Sequence, residues 1–347
     1  LADLDIAEKH PEQARQRFKL ILAKSPDNLG AMLGQARVDL ALGDQNNYVA
    51  DLKNAIQRQP NAREPVVMLT NFYIQRTHQS QLALEVAQKA AQSHAGDPGF
   101  LDNLGQALLA AGHKKEAIKT YTNLTSLQPN SSVAWYRLAW AQRVAGDLNS
   151  AQQSLQKALL ISPDYLDAHV ALAGLYMADR KSDSALQEAK TIQSLYPESP
   201  KGYNLEAELQ ARLKKPELSL QALAKAYQAI PSNDTLMTYH FALVRAGKTG
   251  QAEQVAQQWL KQHANDWAFR TYLASVYMSR QQSAQAIVQY RQIILAEPDN
   301  VLALNNLAAL LQALKDPAAF TYAQRAHSLQ PENPVVADTY GWGLVQR

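Results

Sequence analysis

One feature limits the possible folds more than any other: proline recurs along the chain at a nearly fixed interval. The recurring prolines are Pro26, Pro60, Pro129, Pro163, Pro197, Pro231, Pro298 and Pro331. Most neighbouring pairs are 34 residues apart and the last pair is 33 apart, while the two missing prolines fall near Ala95 and Ala264. A regular interval of this length is typical of a chain that stacks copies of one small structural unit.

The clearest copy of the unit covers residues 132–163 and predicts two amphipathic helices. The first helix is expected over about residues 133–144 and the second over about residues 148–160, with Gly146 in the turn between them. Small residues occupy Ala139 and Ala151, one on each helix. Because two helices can cross closely only where side chains are small, we expect these two alanines to lie at the helix contact.

The same small residues recur in the other copies. On the first helix they are Ala36, Gly105, Ala139, Ala173, Ala207, Ala274, Ala308 and Gly341, with Thr70 and Phe241 as exceptions. On the second helix they are Ala14, Ala83, Ala117, Ala151, Ala185, Ala252, Ala286 and Ala319, with Tyr48 and Ser219 as exceptions. Counting from Pro231 places His240 at a leucine position and Phe241 at a small-residue position.

This pattern resembles the tetratricopeptide repeat, W-x2-L-G-x2-Y followed by A-x3-F and proline. Trp135, Leu138 and Ala139 match its first half, whereas Gln142 replaces its tyrosine and Leu155 its phenylalanine. The resemblance implies an all-α, right-handed superhelical solenoid of nine full repeats with partial repeats at both ends. We expect residues 1–347 to form a single domain that is a fragment of a longer protein, with residues 1–10 as the remnant of a first helix.

Composition and motifs offer little chemistry. The chain has no cysteine, and its eight histidines are scattered without the spacing of a metal site. No phosphate-binding loop, nucleophile elbow or metalloprotease motif is present. A net charge of +3 does not predict a nucleic-acid surface. We therefore expect no enzymatic activity, no cofactor, no metal and no nucleic-acid partner.

In tetratricopeptide proteins the first helices line a concave groove that binds a peptide or protein partner. The register places these residues in that groove: Arg37, Asn71, Gln106, Tyr136, Trp140, Arg143, Met177, Asn204, Arg212, Arg245, Met278 and Asn305. Aromatic and arginine residues often anchor interfaces, which favours Tyr136, Trp140 and Arg143. The alternative for Trp140 is burial against the neighbouring hairpin. The lysine and asparagine pattern of chaperone-tail clamps is absent, because Val67 precedes Asn71 by four residues.

A second resemblance bears on the cellular location of the chain. Its glutamine- and alanine-rich repeats and the terminal DTYGW sequence resemble repeat lipoproteins of exosortase and PEP-CTERM sorting systems in Gram-negative bacteria. This implies a periplasmic or outer-membrane-anchored scaffold in envelope protein sorting and exopolysaccharide production, attached by a lipid anchor outside this fragment. The alternatives are a cytoplasmic location and a substrate-recruiting arm of a larger enzyme such as a glycosyltransferase. Nothing in the repeats predicts the partner's identity or an oligomeric state.

Overall fold

The computed structural model describes residues 10–345, which form twenty α-helices separated by short turns. No strand occurs in this range, so the all-α prediction is confirmed. Residues 1–9 of the expected helix remnant lie outside the described residues.

The helices alternate in the order that the period predicts. Helix α1 (Pro11–Lys24) is a second helix that precedes the first complete hairpin, and α20 (Pro334–Val345) is a first helix that follows the last. The nine hairpins between them are α2 (Leu29–Ala41) with α3 (Gln45–Arg58), α4 (Arg63–Gln75) with α5 (Ser80–Ser93), α6 (Pro98–Ala110) with α7 (Lys114–Leu127), α8 (Ser132–Ala145) with α9 (Leu148–Ile161), α10 (Leu166–Ala178) with α11 (Ser182–Leu195), α12 (Lys201–Arg212) with α13 (Pro216–Ala229), α14 (Asn233–Arg245) with α15 (Thr249–Gln262), α16 (Trp267–Ser279) with α17 (Ser283–Ala296), and α18 (Val301–Ala313) with α19 (Ala319–Leu329). The prediction of nine full repeats is confirmed.

The chain divides into two compact units within α11. The first unit ends at Ala189 and the second begins at Lys190. Each unit has its own hydrophobic clusters. The expectation of one domain over residues 1–347 stays a prediction.

In the first unit, small and large residues pack against each other across the hairpins. One cluster joins Ala87, Leu108, Tyr121 and Leu138, which come from four consecutive helices, α5 to α8. A methyl group added at Gly105 would lie 2.3 Å from the ring of Tyr121, so only glycine fits there. Burying each large apolar side chain contributes about 1.5–3 kcal/mol, and the small residues allow that burial.

The second unit repeats this arrangement. Its largest cluster joins Leu236 and Phe269 with Leu273, Tyr290 and Leu307, all of which are buried. Members come from α14, α16, α17 and α18, so neighbouring hairpins share a core that none of them could form alone.

Helix α14 corrects one sequence prediction. It begins at Asn233, two residues after Pro231, whereas α8 begins three residues after Pro129. Each position on α14 therefore lies one residue earlier than counting from Pro231 predicts. His240 occupies the buried small-residue position, and Phe241 is 50% exposed. The prediction that placed Phe241 at the small-residue position is wrong.

Candidate partner-binding surface

The predicted groove residues differ in how much surface they offer. Six are exposed, namely Arg37, Trp140, Arg143, Arg212, Arg245 and Met278. Five are half-buried, namely Asn71, Gln106, Tyr136, Met177 and Asn204. Asn305 is only 6% exposed and offers almost no surface to a partner. Whether any of them binds a partner stays a prediction.

Trp140 and Arg143 form a stacked pair on α8. The guanidinium carbon of Arg143 lies 4.2 Å from the centroid of the Trp140 ring, which is the geometry of a cation–π contact. The two residues are three apart on one helix and therefore share a face. Trp140 is 42% exposed, so the alternative in which it is buried against a neighbouring hairpin is wrong.

Two tyrosines extend this surface. The ring of Tyr136, one turn before Trp140, lies 5.3 Å from the ring of Tyr165, which precedes α10. Burial raises the pKa of both tyrosines, and the nearby carboxylate of Asp167 raises it further. Both phenols are therefore neutral near pH 7. We call Tyr136, Trp140, Arg143 and Tyr165 the Trp140 patch.

The positive charge on the Trp140 patch comes from Arg143. Arg143 has no ion pair among residues 10–345. By contrast, Arg137 on the same helix lies 3.1 Å from the carboxylate of Asp102. The patch thus presents an apolar ring with an uncompensated positive charge stacked on it.

Two of the other exposed arginines predicted to lie in the groove form ion pairs with glutamates. Arg37 binds Glu64 at 2.8 Å, and Arg212 binds Glu208 at 2.6 Å. Exposed ion pairs of this kind contribute little to stability. They do, however, occupy guanidinium groups that a partner would need to contact.

Sequence reasoning missed one residue on the exposed first-helix face of the second unit. The guanidinium carbon of Arg245 lies 5.8 Å from the ring centroid of Phe241. With the corrected register, Phe241 directly follows the small-residue position of α14, as Trp140 does on α8. The sequence contains one sign of this shift: Ala252 lies 21 residues after Pro231, whereas Ala151 lies 22 residues after Pro129.

Two buried histidines have pKa values shifted in opposite directions. His169 has Glu188 Oε2 2.6 Å from Nδ1 and the Pro163 carbonyl 2.8 Å from Nε2, so the charged imidazole can donate to both acceptors. The Glu188 carboxylate raises the pKa of His169 despite its burial. For His240, burial and the charge of Arg280 lower the pKa to about 4. The contacts of His169 favour its charged form, whereas burial favours the neutral form of His240.

The described residues offer no obvious cofactor chemistry. Within residues 10–345, no three His, Cys, Asp or Glu side chains come together in a way that could hold a metal ion. In the same part of the chain, no helix is both long and apolar enough to cross a membrane.

Comparison with known proteins matches two stretches of the chain to tetratricopeptide repeat models. The matched residues are 103–165 and 144–209. Tetratricopeptide repeat protein 8 of Caenorhabditis elegans is 26% identical over 177 residues, which are 50% of this chain and 35% of that protein. A TPR repeat-containing protein of Pseudomonas aeruginosa is 28% identical over 134 residues, or 38% of this chain and 20% of that protein. The aligned part thus spans about a third or less of these relatives.

Protein O-mannosyl-transferase TMTC1 of Mus musculus is 24% identical over 170 residues, which are 48% of this chain and 18% of that protein. Among solved structures, a tetratricopeptide repeat protein from Parabacteroides merdae has a TM-score of 0.47 and 13% identity, and the match covers 91% of this chain and 98% of that one. By sequence, residues 103–209 of the chain are similar to tetratricopeptide repeats. Helical hairpins recur through both units of the described structure.

Proposed function

We propose that this chain is a non-enzymatic scaffold that binds a segment of a protein partner through the Trp140 patch. The observation that carries the proposal is the exposed indole of Trp140 with the unpaired guanidinium of Arg143 stacked on it. Tryptophan, tyrosine and arginine are the residues that most often dominate binding energy at interfaces. The two tyrosines supply further rigid contact area at little cost in conformational entropy.

The patch also differs from ordinary exposed apolar residues. Single apolar side chains on a surface are common and need no explanation. Here four aromatic or cationic side chains from two consecutive hairpins lie together, and two ring contacts hold them in place. A surface that is ordered before binding loses less entropy when a partner docks.

Affinity capture from the source cells tests this proposal. We expect Tyr136→Ala/Trp140→Ala/Arg143→Ala to lose the partners that the unaltered protein recovers. The matched control is Gln153→Ala/Lys157→Ala/Leu160→Ala, which removes three exposed side chains from α9 of the same hairpin. Equal recovery by the patch variant and the unaltered protein would contradict the proposal, provided that circular dichroism shows both to be folded.

We further propose that the scaffold works in the bacterial envelope, in protein sorting or exopolysaccharide production. Support comes from the terminal DTYGW sequence, the glutamine- and alanine-rich repeats and the lack of cysteine. The location would be the periplasm or the outer membrane, with attachment by a lipid anchor. Sequencing the parent gene tests this, because a signal sequence with a lipidated cysteine is expected and its absence would count against the envelope.

A second candidate function is the substrate-recruiting arm of a larger enzyme. The similarity to mouse protein O-mannosyl-transferase TMTC1 favours it, since the matched part is only 18% of that protein. The same gene sequence separates the two candidates, because an adjoining catalytic domain would support the arm and exclude a free scaffold.

A further inference from the structure

We propose that the Trp140 patch binds an extended peptide segment in which a carboxylate side chain directly neighbours an apolar side chain. This inference rests on the proposed function and specifies the chemistry of the partner. Three observations carry it: the free guanidinium of Arg143, the position of Asp167 and the open space at Gly174.

Arg143 is placed to receive a carboxylate. A guanidinium whose central carbon lies over an indole ring still has N–H groups that can donate to another acceptor. Arg143 has no acidic partner among the described residues, in contrast to Arg37 and Arg137. A carboxylate can accept two parallel hydrogen bonds from such an edge, which a neutral amide oxygen does less strongly.

The charges around the patch give the ligand a direction. Asp167 lies in the first turn of α10, two residues after Tyr165, so its negative charge lies at the tyrosine end. The positive charge of Arg143 partly offsets the rise that burial causes in the pKa of Tyr136, and Arg143 lies one helical turn after Trp140. Asp102 is engaged by Arg137. The carboxylate of a ligand therefore belongs at the Arg143 end, and its apolar side chain belongs over Trp140.

Gly174 leaves room for that apolar side chain. It lies in the middle of α10, is exposed, and does not have a left-handed backbone. A methyl group added there would meet no atom within 4 Å, so no neighbour requires glycine. Gly174 follows Ala173 as Trp140 follows Ala139, and Ala139 and Leu172 share one cluster. Gly174 therefore occupies, on the next first helix, the position that Trp140 occupies on α8, and the lack of a side chain there lets a ligand approach the backbone closely.

Binding of synthetic peptides tests the proposal. The probes are fluorescein-labelled octapeptides of glycine and serine with a central Glu-Phe pair, and three counterparts in which Gln or Lys replaces Glu, or Ala replaces Phe. We expect the Glu-Phe peptide to bind at least about tenfold more tightly than each counterpart, measured by fluorescence polarisation at low salt. Arg143→Lys is expected to weaken binding of the Glu-Phe peptide by several fold, since it keeps the charge but loses the bidentate fork.

Two variants locate the binding site. Trp140→Ala and Gly174→Leu are each expected to abolish binding of the Glu-Phe peptide. The α9 variant Gln153→Ala/Lys157→Ala/Leu160→Ala is the control and should leave binding unchanged. Circular dichroism verifies that every variant is folded. Peptide binding that survives Gly174→Leu would overturn the proposal that the apolar side chain of the ligand occupies the open space at Gly174.

The outcomes separate this inference from the proposed function. Equal affinity for the Glu-Phe and Gln-Phe peptides, or no binding of any peptide at millimolar concentration, would overturn the carboxylate specificity. The proposed function would nevertheless stand if the triple alanine variant still lost the captured partners. If the triple alanine variant kept both peptide binding and partner capture, this inference and the proposed function would both be overturned.

Discussion

Two glycines in first helices of the first unit have opposite physical roles. Gly105 lies under the ring of Tyr121, and an added methyl group would approach that ring to 2.3 Å. Gly174 has the same helical backbone, but an added methyl group would meet nothing within 4 Å. The same residue type therefore permits tight packing at one position and leaves empty space at the other.

Alanine substitutions should change the free energy of unfolding in opposite directions at these two glycines. We expect Gly174→Ala to stabilise the protein by about 0.5–1 kcal/mol, because alanine restricts the unfolded chain and fits the helix. Gly105→Ala should destabilise it by about 1–3 kcal/mol, because the methyl group forces Tyr121 to move. Urea unfolding followed by circular dichroism measures both changes, and a stabilised Gly105→Ala variant would contradict the packing at Tyr121.

The sequence predicted the first of these roles and not the second. Gly105 occupies the recurring small-residue position, so its burial follows from the period. The open space at Gly174 depends on neighbouring helices, which a single copy of the pattern does not specify. Asn305 shows the same limit, since the register that placed it in the groove could not reveal its burial in the second unit.

At the level of the hairpin, each turn between paired helices contains one residue with a left-handed backbone. Four hairpins use glycine, namely Gly43, Gly112, Gly146 and Gly247. The other five use His78, Arg180, Lys214, Gln281 and Lys315, with φ between 54° and 58°. Turn geometry is therefore set by the hydrogen bonds of the helix end as well as by glycine.

The turns at Gly146 and Arg180 make this comparison direct. The backbone amide of Asp147 donates to the carbonyl oxygen of Gln142 at 2.9 Å, and the backbone amide of Lys181 donates to the carbonyl oxygen of Tyr176 at 2.8 Å. We expect Gly146→Ala to destabilise the first unit by about 1–2 kcal/mol, because alanine is strained at φ 90°. Arg180→Gly should change stability by less than about 1 kcal/mol, since relief of strain offsets the greater freedom of the unfolded chain.

Thermal denaturation of the two turn variants beside the unaltered protein checks this expectation. An equal loss of stability in both would show that the side chain of Arg180 stabilises its turn. A neutral Gly146→Ala would show that the turn adjusts its backbone.

The bounds of the helices followed closely from the sequence. The expected ranges of about 133–144 and 148–160 compare with Ser132–Ala145 and Leu148–Ile161. Prolines and small residues determine those bounds locally. The one-residue shift of α14 did not follow from proline spacing, because Ser232 caps the helix in a capping box and starts it early. A local hydrogen bond overrode the period there.

Across the whole molecule, each unit buries one histidine with an altered pKa. Contact with Glu188 raises the pKa of His169 in the first unit, and burial lowers the pKa of His240 in the second unit to about 4. His240 Nδ1 lies 2.9 Å from the hydroxyl of Tyr272, which in turn donates to the Met237 carbonyl. The contributions of the two histidines to stability should therefore depend on pH in opposite directions.

The raised pKa of His169 means that its contribution to the stability of the first unit is complete below about pH 6.5 and is lost as the pH rises through the folded-state value. The lowered pKa of His240, about 4, means the reverse for the second unit, which loses stability as the pH falls below about 6.5. At pH 5 we expect His240 to cost the second unit about 2 kcal/mol relative to pH 7.5.

Urea unfolding with pulsed hydrogen exchange at one fixed labelling pH, read out by mass spectrometry, resolves the two units. Acidification from pH 7.5 to 5 should lower the urea midpoint for peptides around α14 and α16 more than for peptides around α10. His240→Asn places an amide near the position of Nδ1 but cannot gain a proton, so it should remove most of the acid sensitivity of the second unit. His169→Gln should leave that sensitivity intact and reduce the alkaline loss in the first unit. An acid response in the second unit that persists in His240→Asn would show that another group controls it.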